Sequence, residues 1–363
     1  MKIVTIVGAR PQFIKAAMIS KAIADYNRQY GNRITEMLLH TGQHYDADMS
    51  SVFFKEMNIP MPTFQLDCQG DTHGKMTGNM LIAIEKVILD TCPDFVLVYG
   101  DTNSTLAGAL AAVKQHVPVA HVEAGLRSFN KKMPEEINRI VTDHISSQLF
   151  CPTSEAAKNL RNEGISENVH HCGDVMYDAA IFFGKLAEKT STALQQMDVK
   201  PKSYYLATVH RAENTDNRKN LADIFSTFNQ LACKDHPVVL PLHPRTRKML
   251  EEFDLLSLIY QNPYLRMIPP VGFLDIIMLE KNAAIILTDS GGIQKEACFY
   301  QTPCITLREE TEWVETVASG WNRLAGHNRK AIVRCASSAF SGNFIEEYGQ
   351  GDAAQKIIAE LCR

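Results

Sequence analysis

The residues best suited to chemistry in this sequence lie where short apolar segments give way to polar ones. One such segment, 283–287, leads into Asp289-Ser290-Gly291-Gly292, and a helical pattern containing Glu296 follows. The first amides of a helix lack intrahelical acceptors and the helix dipole makes that end positive, so this turn could bind a phosphate. Because glycine has no Cβ, a phosphate could approach the backbone closely at this turn. The carboxylate of Glu296, about one helical turn further on, could accept hydrogen bonds from the hydroxyls of a ribose. A capped helix start, with Ser290 as the N-cap, is the alternative interpretation.

Three acidic residues form a second candidate group. Asp101 follows the apolar segment 95–99, Glu123 follows the segment 117–122, and Glu135 lies at the start of a predicted helix. Carboxylates that lie close together raise one another's proton affinity, as general acid–base catalysis requires. The alternative roles are structural, since Asp101 could cap a helix and Glu135 could favour a helix N-terminus.

Histidine and cationic side chains complete the candidate set. His210 ends the predicted strand 204–209 and is followed by an arginine, so it could contact a phosphate or a leaving group, although a structural histidine is the rival interpretation. Arg10 and Lys15 follow a glycine turn about one helical turn apart and could meet a diphosphate. The spacing is not that of a dinucleotide-binding or P-loop glycine motif, which argues against NAD and ATP.

Composition restricts the class of protein. The 363 residues suffice for two domains, and 45% hydrophobic and 21% charged residues are ordinary for a globular protein. The net charge of −4, without a dense Lys/Arg cluster, argues against nucleic acid as a partner. No apolar run reaches the ~18–20 residues of a membrane span. Nine scattered cysteines without metal-site spacing, and an N-terminus without a secretion signal, predict a cytoplasmic protein with reduced thiols and no metal.

The elements that must position these residues alternate between strand and helix. The first half predicts strands at 2–7, 37–40, 95–99, 117–122 and 149–151, with helices at 11–28, 46–57, 75–90, 103–115 and 134–148. The second half predicts strands at 204–209, 237–242, 264–268, 283–288 and 303–307, with helices at 218–232, from 275 and from 290. Short all-apolar strands are typical of parallel sheets, in which ligands bind beyond the carboxyl ends of the strands.

The alternation divides the chain into two doubly wound α/β domains. The pattern weakens between 172 and 202, which indicates the connection and an adjoining helix. We predict an N-terminal domain over 1–172 that carries the acids, and a phosphate-binding domain over 173–351. A last helix within 352–363 is predicted to return to the first domain. Two such domains facing one another would form a cleft for the ligand.

In their order along the chain, these motifs resemble those of the non-hydrolysing UDP-N-acetylglucosamine 2-epimerases. The resemblance runs from residue 3 to about 326. It implies two Rossmann-like domains in the GT-B-like arrangement around a central cleft, a homodimer, and neither a metal nor a nicotinamide cofactor. The motifs that carry it are Gly8-Ala9-Arg10-Pro11 with Lys15, Gly100-Asp101-Thr102, the segment 121–127 (His-Val-Glu-Ala-Gly-Leu-Arg), Pro134-Glu135-Glu136 with Asn138-Arg139, His210-Arg211 with Glu213-Asn214, and Asp289-Ser290-Gly291-Gly292-Ile293-Gln294 with Glu296.

The resemblance implies a reaction on a UDP-sugar. A base removes the C2 proton while UDP leaves C1, giving a 2-acetamidoglucal; UDP then returns after reprotonation on the opposite face of C2. By motif, the acid–base set is Asp101, Glu123 and Glu135, and His210 assists the departing UDP. The other implied contacts are Arg10 and Lys15 on the diphosphate, Ser290, Gly291, Gly292 and Glu296 on the phosphates and ribose, and Gln43, His44 and His243 in the regulatory UDP-GlcNAc site of some members.

The sequence departs from this pattern in four places. Ala9 and Gln12 replace a threonine and a glutamate of the N-acetylglucosamine enzymes, Trp313 replaces a ligand-contacting arginine, and Asn79 replaces an arginine of the regulatory site. These variants look like the branch that acts on UDP-2,3-diacetamido-2,3-dideoxyglucuronate in O-antigen assembly. A hydrolysing relative, a GT-B glycosyltransferase and a non-catalytic UDP-sugar sensor are the further alternatives.

Overall fold

The computed structural model describes residues 1–43, 60–68, 70 and 72–363. The predicted helix at 46–57 and the predicted site residue His44 lie outside the described residues. The chain folds into two compact units, one formed by Met1–Ala179 with Glu346–Arg363 and the other by Ala180–Ile345. The sequence-based boundaries lie near these divisions, at 172 and 351.

The first unit contains a parallel sheet with the strand order β3-β2-β1-β4-β5-β6-β7. The order reverses between β1 and β4, where a doubly wound sheet forms its ligand crevice. The strands are β1 (Lys2–Val7), β2 (Thr35–His40), β3 (Phe64–Gln65), β4 (Phe95–Tyr99), β5 (Val119–Val122), β6 (Gln148–Cys151) and β7 (Val169–His171). The helices are α1 (Arg10–Tyr30), α2 (His73–Thr91), α3 (Asn103–Lys114), α4 (Pro134–Ile145), α5 (Ser154–Asn162) and α6 (Val175–Thr190), the last of which contains the unit boundary.

The second unit contains another parallel sheet, with the order β10-β9-β8-β11-β12-β13 and its reversal between β8 and β11. Its strands are β8 (Tyr205–Thr208), β9 (Val238–Pro241), β10 (Leu265–Ile268), β11 (Ile285–Thr288), β12 (Cys304–Thr306) and β13 (Asn322–Leu324). Its helices are α7 (Ala193–Gln196), α8 (Ala212–Thr215), α9 (Arg218–Leu231), α10 (Pro244–Glu252), α11 (Ser257–Tyr260), α12 (Phe273–Asn282), α13 (Gly291–Phe299), α14 (Val314–Ala318) and α15 (Arg329–Ser337).

Both sheets are buried on their two faces, which explains why their strands are continuously apolar. In the second unit, Leu206 and Ile286 belong to the core on one face, whereas Ala207 and Leu287 belong to the core on the other. Such strands cannot show the alternation of a half-exposed sheet. The prediction of parallel α/β sheets in both halves is confirmed.

The elements that the sequence pattern missed are short or polar. β3 has two residues, β7 reads Val-His-His, and the helices α5, α10 and α15 have nine residues each with strongly polar exposed faces. Their hydrophobic stripes are too short to stand out in a sequence window. None of the helices in the described ranges is long and apolar enough to cross a membrane.

A final helix, α16 (Ala353–Leu361), belongs to the first unit and packs against α1. The buried carboxylate of Asp178 accepts hydrogen bonds from the first amides of this helix, those of Ala353 at 3.2 Å and Ala354 at 2.8 Å. Burial raises the pKa of Asp178 to about 6, against the lowering effect of the two amides. The protonation state of Asp178 therefore couples the packing of α16 against the first unit to the pH.

The first prediction concerns this linkage. Because the folded pKa of Asp178 lies above its unfolded value of 3.8, folding favours the protonated form, and this stabilisation is present below pH 3.8 and lost as pH rises through about 6. An asparagine resembles the protonated acid and does not titrate. We expect the melting temperature of Asp178→Asn, relative to the native chain, to increase between pH 4 and pH 7. The corresponding difference in the free energy of unfolding is at most about 3 kcal/mol. A difference independent of pH would contradict the assignment.

Candidate active site

Asp101 lies immediately after β4, at the carboxyl edge of the first sheet. Its Oδ2 accepts hydrogen bonds from Nε and Nη2 of Arg139 at 3.1 and 2.7 Å, and its backbone carbonyl accepts one from Asn138 at 2.9 Å. The preceding Gly100 has φ +62°, and a Cβ there would lie 3.0 Å from Oε2 of Glu123. Only glycine fits this turn without strain. The turn therefore brings the Asp101 backbone beside the second predicted acid.

The Asp101 carboxylate is partly desolvated and lies in the field of several charges. Its side chain is 32% exposed. Burial raises the pKa of Asp101, and the Glu123 carboxylate adds to the rise, whereas Arg139 and Lys15 oppose it. A carboxylate with a raised pKa is a stronger base, which suits proton transfer at neutral pH.

Glu123 follows β5 and forms an ion pair with Lys15 through Oε2. Both side chains are almost buried, and Glu123 adopts φ +72°, which is uncommon for a residue with a side chain. Lys15 comes from the second turn of α1. The structure therefore places this lysine, predicted to contact a diphosphate, against the candidate acid, whereas Arg10 is exposed at the first position of α1.

Glu135 and its neighbour Glu136 have different environments at the start of α4. Glu135 is exposed, and none of the hydrogen bonds among the described residues joins it to Asp101 or Glu123. Glu136 is 1% exposed and accepts hydrogen bonds from the amides of Ser128 at 2.9 Å and Phe129 at 2.8 Å. It also accepts one from Nη1 of Arg139 at 2.6 Å. Asp101 and Glu123 are thus brought together, whereas the side chain of Glu135 is exposed at the start of α4.

Gln12, which replaces a glutamate of the family pattern, joins two turns of the first sheet. Its Oε1 accepts from the amides of Gly8 at 2.8 Å and Ala9 at 3.0 Å. Its Nε2 donates to the Tyr99 carbonyl at 2.8 Å and the Thr102 hydroxyl at 3.0 Å. Gln12 therefore fixes the turn that leads into Arg10 relative to the turn that carries Asp101.

Gln43, one of the predicted regulatory residues, contacts the start of α3. Its Oε1 accepts from the amide of Ser104 at 3.1 Å and from the Ser104 hydroxyl at 2.7 Å. The hydroxyl of Thr41 lies 2.8 Å from the same hydroxyl. Gln43 thus has a structural partner within the first unit, at the same edge of the sheet as Asp101.

The Ser290-Gly291-Gly292 turn begins α13 directly after β11. Ser290 is the N-cap, and its hydroxyl accepts from the Ile293 amide at 3.5 Å. A Cβ on Gly291 would lie 2.6 Å from Oε1 of Glu312, whereas one on Gly292 would meet, among the described residues, Ser290 Oγ alone at 3.9 Å. The two glycines therefore differ: Gly291 accommodates Glu312, and Gly292 faces open space. Glu296 is half-buried further along the same helix.

Asp289, immediately before this turn, is fully buried and was assigned no role from the sequence. Its carboxylate accepts from the amides of His210 at 3.0 Å and Arg211 at 3.0 Å, and from the side-chain amide of Asn214 at 3.1 Å. These residues follow β8, which pairs with β11. Asp289 therefore holds the His210 turn beside the Ser290 turn within the second unit.

His210 and His243 lie side by side in this unit, with ring centroids 5.6 Å apart. Burial lowers the pKa of His210, and the charges of His243 and Arg211 lower it further, although Asp289 opposes the shift. Nδ1 of His243 accepts from the Arg245 amide at 3.2 Å, and burial and Arg245 lower the pKa of His243. His210 is therefore neutral at pH 7 and can donate a hydrogen bond to an anion.

The first unit thus supplies two carboxylates, each paired with a cation. The second unit supplies a helix N-terminus at which Gly292 faces open space, and Asp289 holds the neutral His210 beside that turn. The first arrangement suits proton transfer, and the second suits binding of a phosphate. The roles of Gln12 and Asp289 were missed because the contacts that join one turn to another, Gln12 with Tyr99 and Asp289 with His210, are between residues distant in sequence. The local signal is a polar residue beside a glycine turn. Among the described residues, no group of three or more His, Cys, Asp and Glu side chains could hold a metal ion.

Comparison with known proteins gives consistent matches over the whole chain. The sequence profile described as UDP-N-acetylglucosamine 2-epimerase matches residues 28–362. The chain is 50% identical to a UDP-N-acetylglucosamine 2-epimerase homolog of Methanococcus maripaludis, with 99% of each chain covered. It is also 50% identical to the UDP-2,3-diacetamido-2,3-dideoxy-D-glucuronate 2-epimerase of Pseudomonas aeruginosa, with 100% of each covered.

A solved structure agrees with these sequence matches. The UDP-GlcNAc 2-epimerase of Methanocaldococcus jannaschii, in complex with UDP-GlcNAc and UDP, has a TM-score of 0.89 and 43% identity, covering 100% of this chain and 99% of that one. The GT-B-like class of two Rossmann-like domains, implied by the resemblance, is confirmed by this similarity.

The second prediction separates the two neighbouring glutamates. Both carboxylate oxygens of Glu136 accept hydrogen bonds. In Glu136→Gln, an NH₂ group would replace one of these oxygens and would face the Ser128 and Phe129 amides or the Arg139 guanidinium, so that two buried donors would lie opposite each other. We expect a loss on the order of 2 kcal/mol in the free energy of unfolding. The matched control Glu135→Gln changes an exposed side chain and should leave the melting temperature unchanged. Equal melting temperatures for the two variants would contradict the structural role of Glu136.

Proposed function

The chain belongs to the UDP-N-acetylglucosamine 2-epimerase family, and from this membership we propose that it inverts C2 of a UDP-linked 2-acetamido sugar. The enzyme is an isomerase. The proposed biological role is the synthesis of a precursor for a bacterial surface polysaccharide, and the reaction requires no cofactor. The proposal assigns the proton transfers to the first unit and the binding of UDP to the second.

The proposed reaction is an anti elimination followed by an addition. A carboxylate takes the C2 proton, a double bond forms between C1 and C2, and the bond from C1 to the UDP oxygen breaks. The products of this half-reaction are a 2-acetamidoglucal and UDP. Protonation of C2 on the opposite face and attack of the UDP oxygen on C1 then give the epimer. Atoms and charges balance because the proton removed in one half is replaced in the other.

The observation that carries this proposal is a pair of carboxylates beside Gly100: Asp101 follows it in the chain, and Glu123 lies against it from the end of β5. Asp101 has a raised pKa and is held by Arg139, and Glu123 is held by Lys15. Two acids at adjacent strand ends, each fixed by a cation, can give and take protons without moving far. We also assign an acid–base role to the exposed Glu135 on the strength of its motif.

The UDP-binding role of the second unit is supported by the Ser290 turn and by His210. Gly292 leaves the start of α13 accessible, and Asp289 fixes His210 beside this turn. We propose that Ser290, Gly291 and Gly292 bind the phosphates, that Glu296 binds the ribose, and that His210 donates a hydrogen bond to the departing diphosphate. Arg10 and Lys15 are the proposed diphosphate contacts of the first unit. Gln43, His44 and His243 are proposed regulatory residues.

A second candidate substrate, UDP-2,3-diacetamido-2,3-dideoxyglucuronate, is favoured by the surroundings of Trp313. This side chain is buried, and the ammonium of the buried Lys295 lies 4.0 Å from its ring centroid. The resemblance implies an arginine here in N-acetylglucosamine enzymes. A cation–π contact replaces that arginine, so the residue cannot bind the sugar nucleotide in the same way. The Pseudomonas relative is named for this substrate.

We further propose a homodimer in the cytoplasm. The resemblance implies the dimer, and α2 carries two large apolar side chains seven residues apart on one face, Ile82 and Leu89, which are 68% and 57% exposed. Apolar side chains in such a row are typical of helices that pack against a partner.

The third prediction tests the reaction. When the reaction is run in heavy water, we expect deuterium at C2 of both the substrate and the product, for each UDP-sugar that the enzyme accepts. Proton NMR measures this exchange as the loss of the signal of the C2 proton. Asp101→Asn should lower kcat by roughly 10²–10⁴-fold because a positioned acid or base is lost. The control Asp90→Asn alters an exposed carboxylate at the end of α2 and should retain full activity. Turnover without deuterium at C2 would exclude the elimination.

The same experiment distinguishes the substrates and the alternative activity. UDP-GlcNAc and UDP-2,3-diacetamido-2,3-dideoxyglucuronate are offered separately, and the configuration at C2 is followed for each. Free UDP that accumulates at the rate of turnover would identify a hydrolysing enzyme instead.

The fourth prediction tests the dimer. The native chain should have a solution mass of twice 40.6 kDa by light scattering. Replacing Ile82 and Leu89 together by glutamate should yield the monomer mass, since four charges would be buried in the interface. The control Tyr260→Glu changes an equally exposed apolar residue of α11 and should remain dimeric. A native chain of monomer mass would refute the proposal.

A further inference from the structure

His121, in the middle of β5, is completely buried and lies behind the two candidate acids. Its exposed fraction is 0%. Its Nδ1 lies 2.7 Å from Oδ1 of Asp143, and its Nε2 lies 2.7 Å from the backbone oxygen of Gly100. The ring therefore spans from α4 to the turn between β4 and Asp101. The reaction proposed above assigns this residue no part.

The partners of His121 define which atoms carry protons. A backbone carbonyl oxygen can only accept, so Nε2 must donate to Gly100. Burial raises the pKa of Asp143, but the permanently charged Arg127 guanidinium, which donates to its Oδ2, helps to lower that pKa below its usual value, so the carboxylate is ionised and also only accepts. Nδ1 must therefore donate as well. With both nitrogens donating, the ring is an imidazolium held between two oxygen atoms.

Asp143 extends this contact to the turn that follows β5. Its Oδ2 accepts from the amide of Gly125 at 3.1 Å and from Nη1 of Arg127 at 2.7 Å. Arg127 in turn forms a bidentate pair with Glu163, at 2.7 and 2.8 Å. The turn that begins with Glu123 is thus attached to the same carboxylate that holds His121.

Gly100 is the point at which this support reaches both acids. Its carbonyl belongs to the peptide group that leads into Asp101, and its amide donates to the Val122 carbonyl at 3.0 Å, one residue before Glu123. Glycine at φ +62° has little steric restraint, so the orientation of this peptide depends on its hydrogen bonds. Removing the contact with His121 would free the peptide to rotate and would move the Asp101 carboxylate.

We propose that His121 is a positioning residue, held as an imidazolium by Asp143, whose hydrogen bond to the Gly100 carbonyl fixes Asp101 and Glu123 relative to one another. The inference rests on the proposed epimerase reaction, because its effect is read through turnover. Both hydrogen-bond partners of the His121 ring, Asp143 and Gly100, belong to the first unit, and the completely buried ring is not accessible to a ligand. Its loss should therefore lower kcat and leave KM and the affinity for UDP nearly unchanged.

Two isosteric variants separate this role from a purely structural one. The amide nitrogen of a glutamine reaches the place of Nε2, so His121→Gln can keep the bond to Gly100 and loses the bond to Asp143. The amide nitrogen of an asparagine reaches the place of Nδ1, so His121→Asn keeps Asp143 and loses Gly100. We expect kcat of His121→Asn to fall on the order of 10²-fold, the loss that a misplacement of about 1 Å causes. His121→Gln should retain several times more activity.

If His121→Asn were more active than His121→Gln, the proposal would be overturned. The important contact of His121 would then be the one with Asp143 and not the one with Gly100. A large rise in KM at constant kcat would also overturn it. Melting temperatures of the two variants show whether either has lost its fold.

A measurement on the native chain keeps the proposal testable if both variants fail to fold. With ¹⁵N-labelled histidine, the spectrum of the folded native chain should show a bound proton on both nitrogens of the buried ring. A bare nitrogen on this ring would refute the imidazolium. If the native chain has no epimerase activity, the proposed function fails, and this spectrum still decides the state of His121.

Discussion

The turns at the carboxyl ends of both sheets depend on buried polar side chains that pair with backbone groups. Where a parallel strand ends, its amides and carbonyls lose their sheet partners, and burying them unpaired would be costly. Asp143, Glu136 and Asp289 accept backbone amides, and Gln12 both accepts from and donates to the backbone. These contacts hold the turns in one conformation. The residues proposed for chemistry lie on those turns and take their geometry from them.

Charge is compensated locally in the first unit. Asp101 is paired with Arg139, Glu123 with Lys15, and Asp143 with His121 and Arg127. A buried carboxylate without a cation would be protonated or would destabilise the fold. A net charge of −4 over the whole chain therefore says little about the site, because Asp101, Glu123 and Asp143 are each paired with a cation there. The incomplete burial of Asp101 leaves it able to exchange protons with a ligand or solvent.

The sequence predicted the sheets and the positions of two acids because both depend on local pattern. Short apolar runs mark buried strands, and a polar residue directly after such a run must lie at the edge of the sheet, as Asp101 and Glu123 do. It could not distinguish Glu135 from Glu136, since adjacent helical residues differ only in the direction in which they point. The contacts of Gln12 with Tyr99 and of Asp289 with His210 span about eighty residues, and no local pattern encodes such pairings.

The return of α16 to the first unit makes the second unit an insertion within the first. Residues 180–345 are translated after most of the first unit and before α16. During synthesis, the second unit can fold as soon as β13 and α15 have emerged from the ribosome. The first unit cannot be completed until α16 has emerged, and until then Asp178 and the surface of α1 remain uncovered. Apolar side chains under α16 are thus exposed longest. A ribosome that stalls near residue 345 would release a chain whose second unit is complete and whose acid-bearing unit is not.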